Sequence, residues 1–190
     1  MSYPTDPEFA TVEITSRHSN FRSETRSGRT QVRSIGSQRW ALRGRYNDLK
    51  RSEFAPVFAF VMAQKGGVES FEMTPPVVSD NQGSITGTPR VNLTHSQGDT
   101  TIDVDGFTGS LKAGDFIKFA SHSKVYMVTA DLSGAGSLSI QPALLEDLAN
   151  DEIITYQDVP FTVRLENDIQ EWSLSGFDRY NFELDFIEVI

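Results

Sequence analysis

Three histidines, His18, His95 and His122, are the side chains best suited to hold a metal ion or move a proton near neutral pH. They lie far apart, and none has a second histidine two or four positions on, the spacing that puts two imidazoles on one side of a strand or helix. They are read as surface side chains. The acid pairs Glu146-Asp147 and Asp151-Glu152 stand among loop-forming residues, with nothing beside them to keep one carboxyl protonated and its neighbour ionised, as glycoside hydrolysis requires. The stretch DVDGF, residues 103 to 107, has the opening spacing of a calcium loop but lacks the later ligands and the closing glutamate, so it is read as a turn. There is no cysteine, which removes thiol catalysis, thiolate zinc sites and disulfides. Neither a G-x-S-x-G elbow, a phosphate-binding G-x-x-x-x-G-K-[ST] nor a dinucleotide fingerprint occurs. The sequence offers no catalytic residue, no metal ligand set and no cofactor site, and an enzyme such as a cell-wall hydrolase is not expected.

Charge distribution carries a stronger signal. The 190 residues have a net charge of −9, yet residues 17 to 51 hold ten of the seventeen lysines and arginines against two acids, Glu24 and Asp48. That stretch is about +8 and the remainder about −17. A chain divided in this way attracts copies of itself head to tail. It also suits nucleic acid binding, or simply arginines on solvated strand faces. Trp40 and Tyr46 fall opposite the arginines, which disfavours a base-stacking surface and favours ion pairs with adjacent subunits. The candidate subunit-interface residues are Arg22, Arg26, Arg29, Arg33, Arg39, Arg43 and Arg45, with Glu183 and Asp185 from the last strand. No apolar run approaches the roughly 18 residues needed to cross a bilayer. The opening MSYPTDPEFATVEI also lacks the basic and apolar regions of a signal peptide, so synthesis in a cytosol and no membrane partner are expected.

The elements that must position these residues are mostly strands. In QRWALRGRY, Trp40, Leu42 and Tyr46 share one face, and Arg39, Ala41, Arg43 and Arg45 the other, the period-two pattern of a half-buried strand. RTQVRSI precedes it, and SIGS, residues 34 to 37, is read as the turn between them, with Gly36 at positive φ. The arginine spacing also fits a helix face, but no apolar stripe accompanies it. A helix over 52–65 follows. Phe54, Val57, Phe58, Val61 and Met62 form its stripe, Ser52 caps it, Pro56 sits near its first turn and Gly66-Gly67 ends it. Such a stripe is core rather than a cofactor box.

Residues 75 to 89, PPVVSDNQGSITGTP, read as a linker or long loop. Short strand-like pieces follow, and LKAGDFIKFASHSKVYMVT is a hairpin among them, turning at Gly114-Asp115 and His122-Ser123, with Leu111 and Phe116 in a core. Longer alternation returns in FTVRL and in RYNFELDFIEVI, where Tyr180, Phe182, Leu184 and Phe186 oppose Asn181, Glu183 and Asp185. The expected fold is mainly β with one clear α-helix. A split β-sandwich from residues 1–78 plus 159–190 carries the helix, and residues 79–158 form an inserted small β-barrel module.

The order RSGRTQVRSIGSQRWALRGRYNDLKRSEFAPVFAFVMAQKGGVESFEM resembles tail proteins of long-tailed bacteriophages, of the distal-tail-protein class at the tail tip. LKAGDFIKF with KVYMVTADLSGAGSLSIQPALL is similar to their inserted module, and EWSLSGFDRYNFELDFIEVI to their closing strands. The similarity covers roughly residues 22 to 190 as loose patterns. It implies a tail-tube-like split domain and a virion structural protein, made in the host cytoplasm. Such proteins form a ring, commonly of six copies, that ends the tail tube and joins it to hub, fibre or baseplate proteins, while DNA passes through the lumen without specific binding. The inserted module is then expected to point outward as a docking or spacer element. No C-terminal galectin-like carbohydrate domain is evident, so a host-receptor role is not expected. A tail-tube, tube-initiator or neck component is the nearest alternative reading. A carbohydrate- or receptor-binding module, using Phe119, Tyr126 or Tyr156, is the other.

Overall fold

The computed structural model describes residues 2 to 175 and 179 to 190, so Gly176 to Asp178 of the closing stretch lie outside the described residues. The chain is mainly β, with a single helix among the described residues. It opens with a long hairpin, β1 (Thr11–Glu24) and β2 (Thr30–Leu49), and continues through α1 (Arg51–Ala63) and β3 (Phe71–Met73). Short strands follow: β4 (Thr86–Val91), β5 (Thr101–Thr108), β6 (Ser110–Leu111), β7 (Phe116–Phe119), β8 (Val125–Val128), β9 (Leu132–Ser133), β10 (Gly136–Gln141) and β11 (Ile154–Thr155). The chain returns with β12 (Phe161–Leu165), β13 (Trp172–Ser175) and β14 (Arg179–Glu188).

Pairing sorts these strands into two main antiparallel sheets. The first has the order β1-β2-β14-β12-β3, with β13 also beside β14, so both ends of the chain build it. The second has the order β11-β7-β8-β10-β5-β4. Its outer strands meet where Arg90 bridges Ile153 and the Val91 N–H donates to the Glu152 carbonyl at 2.9 Å, so the sheet is a nearly closed barrel. Closure satisfies the edges that an open sheet of such short strands would expose.

The alternation predicted for the first sheet is present. Trp40, Leu42 and Tyr46 on β2, Phe161, Val163 and Leu165 on β12, and Phe182, Leu184 and Phe186 on β14 are buried on one face. The layer packed on that face comes from α1, the N-terminal segment and the barrel. On α1, Phe54, Val57 and Val61 are buried and Phe58 half-buried, while Met62 is 59% exposed. The stripe is wider than the sheet it covers. Lys50 is the N-cap, its N–H donating to the Glu53 carboxylate at 2.8 Å, so Ser52 lies inside the first turn rather than capping it.

Gly44 interrupts the apolar face of β2, and the N-terminal segment fills the gap. Phe9 lies across Gly44 and stacks on Tyr46 at 4.6 Å, while the Tyr3 hydroxyl meets that of Tyr46 at 3.0 Å. A Cβ at position 44 would overlap the Phe9 ring. Gly44→Val is therefore expected to lift the segment off the sheet and to cost about 1–3 kcal/mol of stability, readable by chemical denaturation.

Three local expectations are corrected. Ser34 to Ser37 is not a turn: β2 runs through it, and the hairpin reverses at Thr25 to Gly28, where Gly28 has φ +76°. The register steps from His18 opposite Gln38 to Asn20 opposite Ser34, so residues 35 to 37 bulge against one residue of β1, with Gly36 at φ +82°. The stretch 75 to 89 is a long loop as far as Ile85 but no free linker, because Ser79 and Ile85 are buried, Gly83 lies against the Ser110 carbonyl with no room for a Cβ, and β4 begins at Thr86. DVDGF belongs to β5, where Gly106 at φ +78° lies opposite the register shift of β4.

Candidate subunit interface

The basic stretch folds into two structures with different electrostatics. Near the body of the sheet its arginines meet acids of β14 directly across the ladder. Arg43 stands opposite Asp185 and donates to it at 2.7 Å, and Arg45 stands opposite Glu183, with donors at 2.7 and 2.9 Å. Arg17 holds the Glu166 carboxylate. These pairs lie on the solvent face of the sheet and fix cross-strand register within one chain. Of the nine candidate interface residues, Arg43, Arg45, Glu183 and Asp185 thus have each other as partners. Arg39 is half-buried at the base of the hairpin, close enough to Lys124 to oppose its charge.

Beyond Gln38 the hairpin leaves the sheet. From Ser19 to Gly36 every residue is exposed, on both faces of a two-stranded ribbon. At about 3.3 Å per residue, the seven residues from His18 to Glu24 carry it out by roughly 20 Å. Arg22, Arg26, Arg29 and Arg33 are on this arm, and among the described residues no acidic side chain pairs with them. The arm also displays Phe21, Val32 and Ile35, each more than half exposed. An isolated two-stranded ribbon is marginal in water, so this one has the composition of a segment that is covered in use.

The inserted barrel packs directly on the first sheet. Along β7 and β8, alternate side chains enter different cores: Phe116 and Val125 join the core of the first sheet, while Ile117, Phe119, Tyr126 and Val128 fill the barrel. That two-sided burial explains why β7 has no exposed residue. Between the layers lies a buried ion pair. Lys124, 2% exposed, donates to the Glu188 carboxylate and, at 2.6 Å, to Gln38 Oε1. Glu188, fully buried, also accepts the N–H groups of Trp40 at 3.0 Å and Val125 at 2.8 Å. The Trp40 indole N–H donates to the Val125 carbonyl at 2.8 Å, and Lys124 lies over the Trp40 ring. Burial pulls the Lys124 ammonium below the ordinary lysine range, and the Glu188 carboxylate opposes that shift. Within the subunit this hairpin joins the two layers.

No protein-family model and no curated protein matches this chain. Its remaining candidate groups are placed by their own contacts. His122 is buried rather than on the surface, its Nδ1 2.9 Å from the Tyr126 hydroxyl, which also accepts the Leu145 N–H at 3.2 Å. Half-buried His95 accepts the Asp103 N–H at 3.1 Å, and His18 is exposed beside Ser16. Asp147 accepts the Gln97 N–H, Asp151 pairs with Arg90, and Glu152 accepts both donors of Ser121, so these acids organise loops. Phe119 and Tyr126 are inside the barrel and Tyr156 is half-buried, with its hydroxyl donating to the Gly87 carbonyl. The first two are not available to stack on a sugar.

What sequence reasoning missed are the buried charges. Lys124 and Glu188 each interrupt an apolar face, a pattern that signals either a surface or a pair. The buried tyrosines have a measurable consequence. Burial pushes the Tyr46 and Tyr126 phenols up to about 12 and raises Tyr3 in the same direction. In the unfolded chain each ionises near 10, so the unfolded state loses these protons first. The stability they contribute is complete below pH 10 and is lost as pH rises toward and past 12. An alkaline titration should show part of the phenolate absorbance appearing together with loss of the circular dichroism of the sheets.

Proposed function

We propose that this chain is a virion structural protein of a phage tail. It forms a closed ring at the distal end of the tail tube and connects the tube to hub, fibre or baseplate proteins. The reading rests on the pattern resemblance of residues 22 to 190, and the observation that carries it is the β1–β2 arm. An exposed ribbon with four arginines that no described acid pairs with and three exposed apolar side chains is built for contact with another subunit. The solvent face of the sheet supports a conduit role, because Arg17, Arg43 and Arg45 there are paired with Glu166, Asp185 and Glu183, which lowers the cationic charge a passing polyanion meets. The buried attachment of the barrel to the first sheet supports a ring whose modules are held by their subunits in one orientation.

Negative-stain imaging of the purified protein tests this. Closed rings with a central hole are the expected particles. Single compact particles, or open filaments with no closed species, would overturn the ring.

A further inference from the structure

Twelve large apolar side chains are exposed among the described residues, and eight of them fall in two places. Three are on the arm. The other five are around the outer flank of α1: Met62, Val68, Ile169, Trp172 and Leu174. Trp172 and Leu174 share the α1 side of β13, and the Trp172 ring lies 4.5 Å from half-buried Phe58. Trp172 is still 47% exposed and Leu174 62%. The result is an apolar strip along α1 and β13 that no described residue covers.

We infer that this strip receives the β1–β2 arm of a second copy of the chain, a contact that rests on the ring reading above and names its two halves. The topology prevents a chain from serving itself. Trp172 pairs with Phe182 and Phe182 with Tyr46, so the strip lies toward the Leu49 end of β2. The arm leaves from the Gln38 end, eight residues or roughly 27 Å away along the strand, and points in the other direction. Arm and strip are thus the head and tail of one subunit, and their union is a heterologous contact that repeats until it closes.

Chemistry matches the two halves. Phe21, Arg33 and Ile35 line one hollow on the arm, offering an aromatic and a branched anchor beside a cation. The strip offers Trp172 and Leu174, and the segment 166 to 171 that flanks it has three acids, Glu166, Asp168 and Glu171, and no base. Glu166 is taken by Arg17, and Asp168 accepts the Gly67 N–H at 3.1 Å but has no cationic partner among the described residues, so Asp168 and Glu171 keep their charge to meet the arm, whose residues 19 to 37 have four arginines against Glu24. A second copy fits this strip better than an unrelated acidic or neutral partner because the complement is already present on the chain.

The chain has no cysteine, so introduced thiols report contacts cleanly. Ser23, on the Phe21 face of the arm, is changed to Cys in one sample and Leu174 to Cys in another, and the two are mixed and mildly oxidised. A parallel mixture pairs Ser23→Cys with Leu93→Cys, an exposed position next to the barrel. The mass of the unmodified protein is measured alongside. Disulfide-linked dimers are expected from the 23 and 174 mixture at about tenfold or greater yield over the control, because docking holds those two thiols together. Ile169→Ser with Leu174→Ser, both at exposed positions, should leave melting unchanged and abolish assembly. An oligomeric parent whose thiols at 23 and 174 do not couple, or couple no better than 23 and 93, overturns this docking and leaves the ring standing. A parent that is monomeric throughout overturns both.

Discussion

Lys124→Met should be the most destabilising single change short of emptying the core, lowering the unfolding free energy by about 3–5 kcal/mol. The reason lies in what remains. Glu188 would keep the N–H groups of Trp40 and Val125 but lose the one cation that neutralises it in a fully buried position. For a chain of this size the loss corresponds to a fall of about 10 °C in melting temperature. Glu188→Ala should come close to it, because the Lys124 ammonium keeps Gln38 Oε1 but loses its counter-charge, and the Trp40 and Val125 N–H groups lose their acceptor. Combining Lys124→Met with Glu188→Gln removes both charges and keeps an acceptor for one N–H, so most of the lost stability should return. The pair spans the two layers, so the single variants should also melt in two steps, the first sheet and the barrel separating. Denaturant titrations followed by Trp40 fluorescence and circular dichroism read both effects. A Lys124→Met protein melting within 2 °C of the parent, roughly 1 kcal/mol or less, would refute the joining role given to the pair.

The second large effect concerns assembly rather than folding. Replacing residues 19 to 37 with Asn-Gly closes β1 and β2 through a two-residue hairpin turn from His18 to Gln38, and keeps the Gln38 contact with Lys124. Every residue removed before Ser37 is exposed, so the melting temperature should stay close to that of the parent subunit, while oligomers should disappear. Changing Arg22, Arg26, Arg29 and Arg33 together to Gln should act in the same direction, raising the concentration for half-assembly by about tenfold and removing much of its salt dependence. Arg43→Gln with Arg45→Gln should assemble like the parent, because those arginines are engaged by Asp185 and Glu183. Equal loss from both sets would mean that the ladder, too, faces a neighbour.

The contrast between those arginine sets shows how far the sequence could be read. Strict alternation exposed the buried faces of β2, β12 and β14, and the i, i+3, i+4 stripe exposed α1, because each follows from burying one side of a regular element. The return of long strands after residue 159 signalled, for the same reason, that both ends of the chain build one sheet. Alternation alone does not report how far a strand outruns its sheet, so Arg33 and Arg43 looked alike although one projects on the arm and the other faces Asp185. A glycine at positive φ serves a bulge as readily as a turn, which is why Gly36 misplaced the reversal that Gly28 makes. Tyr3 and Phe9 showed no period because the N-terminal segment packs as an irregular strap, and the one clue was the missing side chain at Gly44. Lys124, Glu188 and His122 were hidden because a buried polar group is defined by its partners, and those come from distant elements.

The most direct test is the mass of the purified protein in solution by light scattering. A single species at a fixed multiple of 21.2 kDa, unchanged on dilution over a wide range, is the result a closed ring predicts. A mass of 21.2 kDa across the whole soluble range, at low as well as physiological salt, would contradict it.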